Sequence, residues 1–141
     1  MWPLTFKKRL DSWVQMRESA SNLPLDDSLS LINDWWFQAP WRPYYLHWDD
    51  RENWPDPWEL LDDNVYCSLA RALGIMYTIA IIDHNDITDA QLIQNENDNL
   101  VLVNKRKYIL NYEDGEVVNN NPNVGNIKKE LELEELKLTL K

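Results

Sequence analysis

Cys67 carries the strongest nucleophile in this chain, which contains one cysteine. It closely follows Asp62, Asp63 and Asn64, residue types that commonly cap helices, and it precedes an apolar stretch. These residues predict a helix from about residue 65 to residue 73, with Cys67 in its first turn. Because a helix N-terminus favours negative charge, such a position favours a reactive thiolate.

Residues 63–75 also carry a resemblance. The order cysteine, apolar helix, glycine and strand is similar to the nucleophile helix of transglutaminase-like and papain-like cysteine hydrolases. This resemblance implies Cys67 as the nucleophile and asks for a histidine base on a later strand. The chain has two histidines, of which His47 precedes Cys67 and His84 lies in the predicted turn that follows. We therefore predict that Cys67 is a buried helix residue and that the chain is not an enzyme.

Other groups that could do chemistry have simpler explanations. Histidine and carboxylates occur together at residues 47–52 and 83–86, but turns use aspartate for capping and Asx-turns. We expect no metal ion and no catalytic residue there. The chain has three glycines, which are too scattered for a P-loop or a dinucleotide-binding fingerprint. We therefore expect no cofactor.

Aromatic residues are concentrated between residues 35 and 58, which hold six of the eight tryptophans. Such side chains must either build the core or present a docking surface, because each has a large apolar area. We predict that Trp58 and at least one of Trp35 and Trp36 are in the core. We predict a partner-binding surface made of Trp41, Tyr44, Tyr45, Trp48 and Trp54.

The formal net charge is −10, from 24 acidic and 14 basic residues. Phosphate backbones would be repelled, so we expect no direct nucleic-acid partner. The acidic residues are spread along the chain, which favours a role in solubility. The longest apolar run, residues 73–82, is too short to span a membrane and predicts a buried core segment, so no membrane partner is expected. The single cysteine and the absence of a signal-peptide pattern suggest a reducing cytoplasm.

The hydrophobic pattern predicts an α+β fold in which N-terminal helices pack on a small antiparallel sheet. Helices are expected over residues 4–20 and 24–37, and a buried strand over residues 75–82. Short strands follow at 92–94, 100–103 and 107–110. We predict one globular domain over residues 1–118 and a linker over residues 119–126. Residues 127–141 fit a strand or a helix, and an edge strand or extended arm is favoured.

Three strings carry a second resemblance: Asn33-Asp34-Trp35-Trp36, the segment 54–58, and the segment 66–74. Together they resemble small proteins encoded among the virion genes of tailed bacteriophages. The resemblance covers about residues 30–80 and implies a structural role at the neck, tail or baseplate. The expected location is then the virion or the host cytoplasm. The expected partners are other protein subunits, including a homo-oligomer through residues 127–141.

Two other function classes stay open. A small acidic protein is also suited to block a basic active site, as an inhibitor of the immunity or anti-defence kind does. A cysteine hydrolase that uses Cys67 is the third hypothesis.

Overall fold

The protein has an α+β fold, as predicted. A computed structural model describes residues 2–3, 5–42, 46–63, 66–112, 117–119 and 124–140. The helices are α1 (Phe6–Ser21), α2 (Leu25–Phe37), α3 (Pro57–Asp63), α4 (Ser68–Ile82) and α5 (Leu133–Leu138), with a 3-10 helix over Trp48–Asn53. The strands are β1 (Ala90–Gln94), β2 (Asn99–Val103), β3 (Tyr108–Leu110), β4 (Val118–Asn119) and β5 (Lys129–Glu132).

The five strands form one antiparallel sheet in the order β4-β3-β2-β1-β5. Side chains alternate between its two faces, as the pleat of a strand requires. Leu92, Val101 and Leu110 are on the face that joins the helices in the main core. The opposite face holds a smaller cluster in which Val124 packs with four strand residues: Ile93, Leu100, Leu102 and Ile109.

The central helix α4 corrects the largest error of the sequence analysis. Residues 75–82 were predicted as a strand, and Gly74 as the residue that ends the preceding helix. Both predictions are wrong, because one 15-residue helix runs through this segment to Ile82. The helix is buried on nearly every side, so its sequence is apolar all round and lacks the one-sided helical pattern. Periodicity alone cannot distinguish such a helix from a buried strand.

The two N-terminal helices are confirmed and pack across α4. Thr5 caps α1 by accepting the Lys8 N–H at 3.3 Å. Trp13 of α1 and Trp36 of α2 both donate their indole N–H to Thr78 Oγ1 of α4, each at 3.0 Å. One buried hydroxyl group therefore ties three helices together.

The C-terminal segment contains both of the predicted alternatives in succession. Lys129–Glu132 pairs with β1 as an edge strand, and α5 follows at once. Leu131, Leu133 and Leu136 are buried in the core of the same molecule. A linker was predicted over residues 119–126. Of these, the structure describes residues 119 and 124–126, and Asn119 belongs to β4.

Candidate interaction surface

Trp41 is presented to solvent by a fixed backbone. It forms an isolated parallel bridge with Tyr66. The Tyr66 N–H donates to Pro40 O at 2.9 Å, and the Arg42 N–H donates to Tyr66 O at 2.7 Å. Tyr66 is itself completely buried, and its hydroxyl donates to Leu60 O at 2.6 Å. The Trp41 side chain is 61% exposed above this anchored backbone.

The other predicted partner-binding residues have different environments. Trp48 was expected to be exposed, but it is buried and donates its indole N–H to Asn99 Oδ1 at 2.7 Å. It therefore attaches the 3-10 helix to the sheet. Trp54 is half-buried, packs edge-on against Trp48 with ring centroids 5.5 Å apart, and donates to His47 O at 2.8 Å. Tyr44 and Tyr45 lie outside the described residues.

Trp58 is the second correction among the tryptophans. It was predicted to be core, yet it is 47% exposed. Helix α3 buries Pro57, Leu60 and Leu61 instead. Because successive helical residues point about 100° apart, Trp58 turns outward and packs edge-on with Trp13, with ring centroids 6.4 Å apart.

A cleft of about 450 Å³ lies beside Trp41. It is bounded by the aromatic segment, the N-terminus of α4 and the adjoining ends of β1 and β2. Its lining includes Trp41, Leu46, His47, Cys67, Gln94 and Asn99. An exposed indole and a cleft therefore occupy the same side of the molecule.

Cys67 caps helix α4 and does not lie in its first turn as predicted. Its Sγ accepts the Ala70 N–H at 3.5 Å and lies 4.0 Å from Leu46 O. The side chain is only 6% exposed. The cysteine therefore has a structural role as an N-cap.

The two histidines are placed unexpectedly. His47 is exposed and lines the cleft together with Cys67, although its position before the cysteine argued against such a pairing. His84 lies beyond the other end of α4, with Nε2 2.8 Å from Leu23 O. Nothing in the spacing of the histidines signals which of them lines a cleft with the cysteine, because the 3-10 helix and α3 lie between His47 and Cys67 in the chain.

The negative charge is concentrated, which corrects the expectation that it is spread along the chain. Residues 46–63 contain seven acidic side chains and one basic side chain. Two ion pairs join this segment to the C-terminal segment: Arg51 with Glu135 at 3.6 Å, and Lys129 with Asp49 at 3.3 Å. Both pairs are solvent-exposed, so neither contributes much to stability.

The chain matches no protein-family model, no curated protein and no solved structure. Its function must be argued from its own geometry. In the part of the chain that is described, no three His, Cys, Asp or Glu side chains are grouped to hold a metal ion. None of the described helices is both long enough and apolar enough to cross a membrane.

Proposed function

We propose that this protein is a non-enzymatic interaction protein that docks onto another protein subunit through Trp41 and the cleft beside it. The observation that carries the proposal is the 61% exposure of an indole on an anchored backbone. Tryptophan is enriched among the residues that dominate binding energy in protein interfaces. An exposed tryptophan in a fixed position loses little conformational freedom when a partner binds.

The shape and lining of the cleft favour a protein partner over a small-molecule ligand. It is open and is lined by both apolar and polar side chains, among them Leu46, Gln94 and Asn99. A side chain from a partner subunit can enter it while the partner surface covers Trp41. A small apolar ligand would instead favour an enclosed apolar cavity.

We further propose that the assembly is a bacteriophage particle, with this chain as a neck, tail or baseplate subunit. The support for this finer proposal is the sequence resemblance over about residues 30–80. The location would then be the virion or, before assembly, the host cytoplasm. Self-association through residues 127–141 stays a prediction. Three leucines of that segment are buried within the same molecule, so they are not exposed to a second copy.

The experiment compares Trp41→Ala with the wild-type chain in particles purified from the natural source. Wild-type chain should be present in the particles at a fixed ratio to the other subunits, measured by mass spectrometry. Trp41→Ala should weaken incorporation by about 30-fold, the equivalent of about 2 kcal/mol for a residue that dominates an interface. Its melting temperature should be nearly unchanged, because the indole is mostly in solvent.

The matched control is Tyr112→Ala, which also removes an exposed aromatic side chain but is not among the residues that line the cleft. Tyr112→Ala should be incorporated normally. Equal incorporation of wild-type chain and Trp41→Ala would overturn the proposal, as would absence of wild-type chain from the particles.

A second candidate, an acidic inhibitor of a basic enzyme, is favoured by the charge of residues 46–63. Complementary charge accelerates association and selects a basic partner. A stoichiometric complex with one basic enzyme, together with loss of that enzyme's activity, would support this candidate. Neutralising Asp49, Asp50 and Glu52 as amides should then slow association and reduce its dependence on salt. Unchanged association would exclude this segment as the binding surface.

A further inference from the structure

The hairpin turn between β2 and β3 carries three cationic side chains, and two of them, Lys105 and Arg106, stand on backbone in an unfavourable conformation. Asn104, Lys105 and Arg106 have φ values of 57°, 55° and 67°. Three consecutive left-handed residues without a glycine cost roughly 1–2 kcal/mol each. Strain of this kind persists only where the surroundings enforce it, and it is often found at functional positions.

The surroundings do enforce this turn. Asn104 Oδ1 accepts the Thr88 N–H at 2.7 Å, and Asn104 Nδ2 donates to Asp86 O at 2.8 Å. Asp89 Oδ1 accepts the Lys105 N–H at 2.8 Å. The hydrogen bonds fix the turn backbone and leave the side chains of residues 105–107 exposed. Among the described residues, no ion pair involves these three cations.

The outer face of α3 has the opposite chemistry. Trp58, Glu59 and Asp62 are all exposed there. The helix start is rigid because Asp56 and Glu59 form a reciprocal capping box: the Glu59 N–H donates to Asp56 Oδ1 at 2.8 Å, and the Asp56 N–H donates to Glu59 Oε1 at 3.0 Å. The α3 face therefore combines carboxylates with an indole, which attracts cations through its ring face.

These two surfaces lie towards opposite ends of α1, although Trp58 of the α3 face packs on Trp13 near the middle of that helix. At its start, Arg9 donates from Nε to Leu61 O at 2.6 Å, which places the end of α3 there. Just beyond its end, Leu23 O contacts His84, which lies in the loop that leads to Asp86 and the hairpin turn. Helix α1 has 16 residues, so about 24 Å separate its two ends at 1.5 Å per residue. The hairpin tip and the α3 face are therefore separate surfaces of one molecule.

We propose that the occupant of the α3 face is a second copy of this chain, which inserts its basic hairpin tip, Lys105–Lys107, against Trp58, Glu59 and Asp62. The argument for this partner is charge complementarity. The cationic tip of one copy is complementary to the acidic α3 face of another, and every copy carries both surfaces. Because the two surfaces differ, the contact is head-to-tail and adds copies in a ring or a row. This inference goes beyond docking through Trp41 and uses none of the same residues.

The test is sedimentation velocity of the purified full chain over a range of protein concentration and salt. Wild-type chain should associate in about 0.05 M salt and dissociate in about 0.5 M salt, where exposed charges are largely screened. A tip variant, Arg106→Glu with Lys107→Glu, should weaken association at least about tenfold through like-charge repulsion. A face variant, Trp58→Ala with Asp62→Ala, should weaken it to a similar extent. Circular dichroism checks that both variants remain folded.

The matched control is Lys128→Glu with Lys129→Glu, which changes the net charge as much as the tip variant does but at the exposed β5 edge of the sheet, beside Gln94 and at the other end of the strands from the hairpin turn. The control should associate like the wild-type chain. A mixture of the tip variant and the face variant has one intact surface on each partner, so it should form 1:1 dimers and nothing larger. This capped dimer distinguishes a head-to-tail contact from a symmetric one.

A wild-type chain that stays monomeric at low salt and high concentration would overturn the inference. So would weakening by the β5 control equal to that of the tip variant, which would indicate a net-charge effect. Neither result affects the proposal that the protein docks through Trp41, because that proposal is tested by incorporation into particles. Conversely, normal self-association with no effect of Trp41→Ala on incorporation would overturn only the docking proposal.

Discussion

Gly74 of α4 lies directly under the Trp36 ring of α2. A Cβ atom added at Gly74 would stand 2.6 Å from two atoms of that ring, Cη2 and Cζ3. Real Cβ atoms do not approach other carbons so closely. Glycine inside a helix costs roughly 0.5–1 kcal/mol relative to alanine, and here the close approach of a buried indole explains its presence.

Gly74→Ala should therefore destabilise the protein, although alanine is the better helix former. We expect a net loss of about 1–3 kcal/mol in the free energy of unfolding, because the added methyl group overpacks a closed core. Urea denaturation followed by circular dichroism measures it. In a Trp36→Leu background the same substitution should cost less, and a double-mutant cycle gives the coupling. An increase in stability of the single variant would contradict the close contact.

This pair also shows why α4 was mispredicted. Gly74 follows an apolar run and precedes Ile75, so its local sequence fits a residue that terminates a helix. Its actual role depends on Trp36, which is distant in sequence, and no local pattern reveals that contact. By contrast, α1, α2 and the three strands β1 to β3 were predictable, because each has one buried face or clear turn residues at its ends.

Thr78→Val should be strongly destabilising although it preserves shape. The Thr78 hydroxyl accepts the indole N–H groups of Trp13 and Trp36 and donates to Gly74 O at 2.8 Å. Valine would leave two buried indole donors without an acceptor, at about 1–3 kcal/mol each. Thermal denaturation should show a large drop in melting temperature. Thr88→Val, at an exposed position of the loop between α4 and β1, is the control and should lower it far less.

Trp13 and Trp58 are in edge contact but should differ in their contributions to stability. Trp13 is completely buried, so Trp13→Ala should cost about 3–5 kcal/mol. Trp58→Ala should cost about 1 kcal/mol, because nearly half of the side chain is already in water and little apolar area is lost. Parallel urea denaturation of the two variants measures the difference. Similar losses in both would show that Trp58 is part of the core.

The sequence located the aromatic segment but could not separate anchors from exposed residues. Trp41 and Trp48 have similar neighbours in sequence, yet one is exposed and the other is buried against Asn99. The difference arises where the 3-10 helix meets β2, a contact made by residues that are far apart in the chain. Trp58 was assigned to the core from the nearby Leu60 and Leu61, but those leucines face inward and Trp58 does not.

Alkaline pH should weaken the contact between β3 and α2. The hydrogen bond that Tyr108 donates to Asp26 Oδ1 at 2.8 Å raises the pKa of the phenol above its ordinary value. The folded state therefore holds this proton more tightly than the unfolded state does, and the stabilisation is lost as pH rises above about 10. Tyr108→Phe should flatten the fall in stability over that range, measured by urea denaturation. An unchanged pH profile would show that the bond does not stabilise the fold.

Cys67→Ser should leave folding and incorporation into particles nearly intact. Serine is a strongly preferred N-cap residue and can accept the Ala70 N–H that Cys67 Sγ now accepts, so the melting temperature should stay the same or rise slightly. Since Cys67 is almost fully buried, the native thiol should react with iodoacetamide near pH 6 far more slowly than the same thiol in urea. His47→Ala should leave that rate unchanged if the histidine merely shares the cleft. Fast native alkylation that His47→Ala abolishes would instead identify a working cysteine–histidine pair and favour the hydrolase hypothesis over docking.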